Sequence, residues 1–287
     1  MKITFLSLII VIALAAGYGG AKLAGHGGQA AGKTETTFER VTRTNTLRCG
    51  YAAWYPNLII DPNTKQFSGI SHDVMQELGR RLGIKIEWTI EAGFGSAEQD
   101  LKNGKYDVLC ADVCFEARRN KFAFFSRPFR QDPIYMIARA DDPRFNSVAD
   151  ANTVETKAAS LQNMIIETYA KKYLPNAPRI EVSELGAEAD IMSTLATQKA
   201  DVSFNNLISV DRYNQSNGNK IKAVRPAVAM CNGSFMLPYG DADFKSMIDG
   251  AIDETIAEGL MAGIYKKYLP DSPDYWRVPA TLLRGRD

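Results

Sequence analysis

The chain has 287 residues, of which 45% are hydrophobic and 23% are charged, so it is long enough for one large or two modest globular domains. Its 34 basic and 33 acidic residues leave a net charge of +1, which does not favour a nucleic acid or an anionic membrane surface as partner. The two histidines, His26 and His72, lie far apart, which argues against a histidine-based metal site or catalytic triad. We predict neither a metal nor a cofactor.

The N-terminus has the pattern of an export signal. Lys2 is followed by an apolar run at 3–16 and then by glycine-rich residues. A membrane-spanning helix needs about 20 apolar residues, so the run is short for an anchor, although 17–23 extend it. We predict a signal peptide or an N-terminal anchor over 1–24, with cleavage favoured over retention, and a flexible tether over 25–40. Either outcome exports the rest of the chain to the periplasm.

The next part of the chain alternates between strand and helix patterns. A strand begins at residue 47, and a loop at 52–56 follows it. Val74, Leu78 and Leu82 recur at a spacing of four and Gly83 comes directly after them, which predicts a helix over 69–83. The further elements that we predict are a strand at 84–90, a short helix at 96–102, a buried strand at 106–111, and a strand at 133–139 that crosses to a second lobe.

The same alternation continues in that second lobe. We predict strands at 153–158, 180–182 and 201–204 and helices at 161–173 and 188–198, followed by a return strand at 233–238 and closing helices over 241–268. Strands that alternate with helices in this way imply parallel sheet with helices on both faces. The sequence therefore predicts an α/β fold.

Four cysteines, Cys49, Cys110, Cys114 and Cys231, lie beyond the export signal. In an oxidising compartment an even number of cysteines indicates disulfides, and four cysteines allow three pairings. Cys49 and Cys110 each lie at the end of a predicted strand of the first sheet, and a pair of Cys114 with Cys231 is equally arguable. The spacings do not make a zinc pattern. We predict at least one disulfide, with the pairing open.

The stretch at 106–129, YDVLCADVCFEARRNKFAFFSRPF, is the most informative part of the sequence. Its first third is an apolar run after the turn residues Asn103 and Gly104, which is typical of a buried parallel strand. Ligands of open α/β sheets lie outside the carboxyl ends of the strands, so the polar residues that follow mark a candidate pocket. Among them, Arg119 offers paired donors to a carboxylate.

This stretch resembles the signature of the family-3 solute-binding proteins of polar amino-acid ABC importers, which have the type II periplasmic binding fold. Three groups of residues fall at the spacings of that signature: Gly104-Lys105-Tyr106-Asp107, then Arg119, then Phe125-Ser126-Arg127-Pro128-Phe129. The resemblance extends over about 47–268. It implies two Rossmann-like lobes joined by hinge strands, with 41–136 and 233–287 in the first lobe and 137–232 in the second.

The resemblance also implies a ligand site between the lobes. Arg119 takes the place of the family's carboxylate-binding arginine. An aromatic residue after the first strand, Trp54 or Tyr55, covers the ligand. Ser160 stands between a predicted strand and helix, where it caps the helix and its neighbouring N–H groups point outward.

Four other positions differ from the family pattern. Asn206 stands where amino-acid binders have an aspartate for the ligand's α-ammonium, and Cys114 and Glu116 stand where the family has hydroxyl residues. Asp112 brings a carboxylate nearby that could replace the missing acid. Alternatively, Asp112 and Glu116 cap a short helix that starts near residue 116.

We therefore predict a monomeric, extracytoplasmic solute-binding component of an ABC importer. Its partners are a small carboxylate-bearing solute, an amino acid or derivative, and a permease in the inner membrane, and it has no catalytic residue. A dehydratase of the cyclohexadienyl type is the alternative, with Asp112 or Glu116 as general acid, although no acid lies at 158–163. A tethered ligand-sensing module is a third possibility, which the absence of a signalling domain after Tyr268 disfavours.

Overall fold

Nine of the eleven strands in this computed structural model, which describes residues 35–93, 95–161, 164–182 and 188–280, form one sheet. In chain order the strands are β1 (Thr46–Tyr51), β2 (Ile59–Ile60), β3 (Phe67–Ser68), β4 (Lys85–Glu91), β5 (Val108–Cys114), β6 (Ala123–Phe125), β7 (Arg130–Arg139), β8 (Ala158–Leu161), β9 (Arg179–Val182), β10 (Val202–Asn205) and β11 (Ile221–Pro238). The sheet has the order β4-β1-β5-β11-β7-β10-β8-β9, with β6 paired to β11, whereas β2 and β3 form a separate hairpin.

Eight described α-helices accompany the strands. They are α1 (Thr37–Thr44), α2 (Ile70–Leu82), α3 (Ala97–Lys102), α4 (Ile165–Tyr173), α5 (Glu188–Ala196), α6 (Leu207–Asn217), α7 (Ala242–Ala257) and α8 (Leu260–Lys266). Gly83 ends α2 in the left-handed conformation with φ 66°, as its position after the apolar repeat predicted. Two short 3-10 helices cover Arg119–Lys121 and Ala149–Ala151.

The strands β7 and β11 join two parallel half-sheets. β1 is parallel to β4 and β5 in the first half, and β8 is parallel to β9 and β10 in the second. β11 has 18 residues; its first part pairs with β7, and its last part pairs with β5 and β6, always antiparallel. The predicted α/β fold with two lobes and joining strands is confirmed.

Each half-sheet has its own hydrophobic core. The first core contains β1, α2, α7 and α8 side chains such as Leu47, Leu78 and Ile252. The second core contains side chains of α4, α5 and β10 such as Leu195 and Phe204. Ile208 is an exception. Its neighbour in the sequence, Val210, packs in the second core, but Ile208 itself packs in the first core.

Several predicted boundaries were wrong. α1 begins at Thr37, so the last four residues of the predicted tether are helical. β5 continues through Asp112 to Cys114, beyond the predicted end at 111, and β8 begins at Ala158, where we predicted a strand to end. The export signal predicted over 1–24 lies outside the described residues.

All four cysteines are paired. Cys49 on β1 is bonded to Cys110 on the adjacent β5, and Cys114 at the end of β5 is bonded to Cys231 on β11. The prediction of at least one disulfide is confirmed. Cys114, which we predicted as a ligand contact, therefore fixes the end of β5 to a strand that joins the lobes.

We expect the Cys114→Ala/Cys231→Ala variant to lose about 2–4 kcal/mol of unfolding free energy, because the bond closes a long loop and limits the unfolded chain. The sequence separation is 117 residues for this bond and 61 for Cys49–Cys110. Doubling a loop adds only about 0.6 kcal/mol of closure entropy, so Cys49→Ala/Cys110→Ala is a matched control with a similar loss. Urea unfolding measures both. Wild-type stability in either variant would contradict this expectation.

Candidate functional site

Five of the eight predicted ligand residues lie beyond the carboxyl ends of strands. Trp54 and Tyr55 follow β1, Glu116 and Arg119 follow β5, and Asn206 follows β10. Open α/β sheets bind their ligands at these ends. The fold thus places residues from both half-sheets where a shared ligand site is expected.

Arg119 is oriented by an acid that the sequence did not reveal. Its Nε lies 2.5 Å from Oε1 of Glu98, in the first turn of α3, and the two side chains are 13% and 24% exposed. Charge-assisted hydrogen bonds of this length hold a guanidinium firmly. Glu98 precedes Arg119 by 21 residues. Since their contact depends on how α3 packs, no sequence motif marked it.

Beside this pair lies a second one, which faces the second lobe. Arg118 Nε lies 2.7 Å from Oε2 of the buried Glu116, and this hydrogen bond raises the pKa of the guanidinium, with the charge of Glu167 on α4 acting in the same direction. Burial raises the pKa of Tyr169 on α4 to about 12, and the charges of Tyr173 and Glu116 add to this effect. The segment after β5 and helix α4 are therefore close enough to interact electrostatically.

Asp112, which we predicted as a ligand contact, has a protein partner instead. It is 2% exposed, and its Oδ2 lies 2.6 Å from Nη2 of Arg130. The same Nη2 lies 2.8 Å from Oδ2 of Asp132. Burial raises the pKa of Asp112, and the charge of Arg130 offsets only part of this increase. The prediction was made for a loop residue, but β5 continues through this position and directs the carboxylate into the protein.

Gly233 permits this buried contact. β11 lies between β5 and β7, and Gly233 pairs with Cys114 on one side and Arg130 on the other. A Cβ atom at residue 233 would lie 2.1 Å from Oδ1 of Asp112. The Asp112 side chain therefore crosses β11 over a position that has no side chain, which is a recurrent role of glycine in strands.

Asn206 and Ser160 have different roles from each other. Asn206 caps α6, because its Oδ1 accepts a hydrogen bond from the Ser209 N–H at 2.9 Å. Ser160 does not cap a helix, so that prediction was wrong. It lies within β8 and is fully buried, and its hydroxyl has no hydrogen-bond partner among the residues that the structure describes. The residue before α4 is Met164, because β8 begins and ends later than predicted.

Of the two aromatic candidates, Tyr55 reaches the second lobe. The Arg212 guanidinium of α6 lies 4.5 Å from the centre of the Tyr55 ring, which is 46% exposed. Trp54 forms a short bridge with Leu58 in its own loop. Which ring covers the ligand stays a prediction.

The comparisons with known proteins agree on one family. The profile of bacterial extracellular solute-binding proteins, family 3, matches residues 47–271. The L-cystine-binding protein TcyA of Bacillus subtilis (strain 168) is 24% identical over 272 residues, which cover 93% of this chain and 97% of TcyA. The L-cystine-binding protein TcyK of the same organism is 21% identical over 243 residues, which cover 83% of this chain and 88% of TcyK.

Solved structures show the same fold. The ancestral amino acid-binding protein AncCDT-1, described as a precursor of cyclohexadienyl dehydratase, has a TM-score of 0.69 at 21% identity and covers 82% of this chain and 100% of its own. A putative L-cystine ABC transporter protein from Listeria monocytogenes has a TM-score of 0.67 at 20% identity, and the match covers 81% of this chain and 98% of that protein. At these identities the structural similarity concerns the fold.

Proposed function

Because the chain belongs to the bacterial extracellular solute-binding proteins of family 3, we propose that it binds an amino acid or amino-acid derivative and delivers it to the permease of an ABC importer. The observation that carries this proposal is the position of Arg119, which follows β5 and is oriented by Glu98. Its guanidinium would take the carboxylate of the ligand. The names of the relatives, which refer to L-cystine and to amino acids, support this class of ligand.

The ligand would bridge the two lobes. Arg119 contributes from the first lobe and Asn206, at the start of α6, from the second. A ligand that contacts both favours the closed arrangement, because it binds that arrangement more tightly. We propose that closure bends β7 and β11 between a first lobe of residues 41–136 and 233–287 and a second of 137–232.

A thermal-shift screen tests the proposal. L-cystine, other amino acids, dicarboxylates and osmolytes are added at concentrations up to saturation. A ligand that binds only the folded protein, present at 100 times its dissociation constant, stabilises it by about 2.7 kcal/mol. We expect an amino acid or derivative to raise the unfolding temperature. A screen in which only compounds without a carboxylate do so would contradict the proposal.

We further propose that the protein acts as a monomer in the periplasm after cleavage of its signal peptide. Among the described residues, no helix has the length and hydropathy needed to cross a membrane. The intact mass of protein purified from its native host tests the cleavage: we expect a mass that lacks the signal peptide predicted within 1–24. A full-length mass would contradict it.

We propose that the protein is not an enzyme. A dehydratase needs a protonated cleft acid, but the Glu116 carboxylate is ion-paired with Arg118, and Asp112 is enclosed beside Arg130. We therefore expect no product above the uncatalysed rate when the protein is incubated with prephenate or arogenate. Product formed at enzymatic rates, and lost in Glu116→Gln, would favour the dehydratase.

A further inference from the structure

One face of α6 packs against the first lobe. Ile208, Asp211 and Arg212 follow the spacing i, i+3 and i+4, so they share one side of the helix. Ile208 is buried in the first core. The Arg212 guanidinium covers the ring of Tyr55, and the Asp211 carboxylate accepts a short hydrogen bond from the Tyr275 hydroxyl. Three different interactions thus connect the same helix face to the first lobe.

The opposite face of α6 holds it in the second lobe. Val210 is buried in the second core, and Tyr213 packs against that core. Asn214 exchanges two hydrogen bonds with the backbone of Ile221 on β11, at 2.7 and 3.0 Å. The helix is therefore part of the second lobe, and its contacts with Tyr55 and Tyr275 cross between the lobes.

Of the two first-lobe partners, Tyr275 packs against the core and Tyr55 lies at the surface. Tyr275 is partly buried against the first core, and its hydrogen bond to Asp211 raises the pKa of its hydroxyl to about 12, so the phenol stays a donor throughout the physiological pH range. Tyr55 lies in the loop after β1, directly before Pro56. Arg212 is exposed and covers the accessible ring, which places this contact at the surface between the lobes.

We propose that Ile208, Asp211 and Arg212 form a latch that holds the two lobes together without a ligand. Asn206 caps the start of the same helix, so a ligand held there would act on the same rigid element. These are positioning residues: they set the fraction of molecules in the closed arrangement, and the apparent affinity scales with that fraction. The effect on affinity rests on the proposed function, whereas the latch itself does not.

The test measures the distance between the lobes in the ligand-free protein. Because all four native cysteines are paired, single cysteines introduced at the exposed positions Lys102 and Lys199, one in each lobe, can be labelled selectively. Distance distributions are compared for the wild type, Tyr275→Phe, Arg212→Ala and the combined variant. Tyr275→Phe keeps the packed ring and removes only the hydroxyl. Arg179→Ala, an exposed arginine on β9, and Ser216→Ala, on the side of α6, are the matched controls.

We expect the closed-to-open ratio to fall about tenfold in Tyr275→Phe, where a hydrogen bond to a charged group is lost. We expect a fall of about twofold to fivefold in Arg212→Ala, where an exposed cation–π contact is lost. The controls should match the wild type, and urea unfolding should show intact folding. Wild-type distance distributions in the combined variant would overturn the latch. Failure of every amino acid to bind would contradict the proposed function and leave these distances unaffected.

Discussion

Replacing Arg119 with alanine is expected to weaken ligand binding about 30- to 5,000-fold, which corresponds to about 2–5 kcal/mol. The variant leaves the ligand carboxylate without its cation, and it also leaves Glu98 without the guanidinium that lies 2.5 Å from it. Both effects act in the same direction, because an unpaired Glu98 would repel the carboxylate. Calorimetric titration with the amino acid identified by thermal shift measures the change.

Arg118→Ala is the matched control for this experiment. The two arginines are adjacent, but the Arg118 side chain is 50% exposed and its Nε contacts Glu116. We expect its loss to change affinity by less than about tenfold, since solvent screens the half-exposed Arg118 charge. Equal losses of affinity in the two variants would indicate that the total positive charge near the site determines binding. Wild-type affinity in Arg119→Ala would contradict the proposal that Arg119 binds the ligand carboxylate.

Asn206→Asp then reports the chemistry of the other end of the ligand. The new carboxylate would attract an α-ammonium and repel a second acid group. Oδ1 of either side chain can cap α6, so the helix start is preserved. Tighter binding in this variant indicates an amino acid, and weaker binding indicates a ligand that has no amino group.

Replacing Arg130 with methionine is expected to lower the unfolding free energy by about 3–5 kcal/mol. Removing one member of a buried ion pair leaves the remaining charges in the protein interior without compensation. Here two carboxylates, Asp112 and Asp132, lose a guanidinium that lies 2.6 and 2.8 Å from them. Urea unfolding at pH 7 measures the loss.

The loss in Arg130→Met should be smaller at acidic pH. Burial already raises the pKa of Asp112, and removal of the opposing cation raises it further. A carboxyl group whose pKa is raised by folding contributes stability below its unfolded pKa, near 3.8, and loses that contribution as the pH rises through the folded pKa. The difference from the wild type should therefore be smaller at pH 4 than at pH 7.

Asp112→Asn is the matched control for the buried cluster. It keeps the shape of the side chain and an acceptor for Arg130, and it removes a net negative charge from a site with two acids and one base. We expect a change within about 1 kcal/mol. A loss in Asp112→Asn as large as that in Arg130→Met would show that the Asp112 charge itself is needed.

Elements with a local signal could be predicted from the sequence. The helix α2 has apolar residues at a spacing of four and a glycine in the left-handed conformation after its end. The spacing from Tyr106-Asp107 to Arg119 placed the arginine correctly after β5. These features depend on neighbouring residues or on a family signature, so they did not require knowledge of the packing.

Elements that depend on the packing of both lobes could not be predicted. The helix α6 packs on two opposite faces, with Ile208 in one core and Val210 in the other, so it lacks the single apolar stripe of an ordinary surface helix. The cluster of Asp112, Arg130 and Asp132 spans three strands across Gly233. An acid at the end of an apolar run therefore resembled a cleft residue until the register of β11 was known.

The second disulfide has a consequence for biosynthesis. A chain that is made from its N-terminus presents Cys49, Cys110 and Cys114 well before Cys231, which follows Cys114 by 117 residues. During that interval Cys114 is a spare thiol that can exchange with the Cys49–Cys110 bond. Cys114 leaves this exchange only when β5 pairs with β11 and Cys114 bonds to Cys231. The yield of correctly oxidised protein should therefore depend on an oxidoreductase that isomerises early, incorrect pairs.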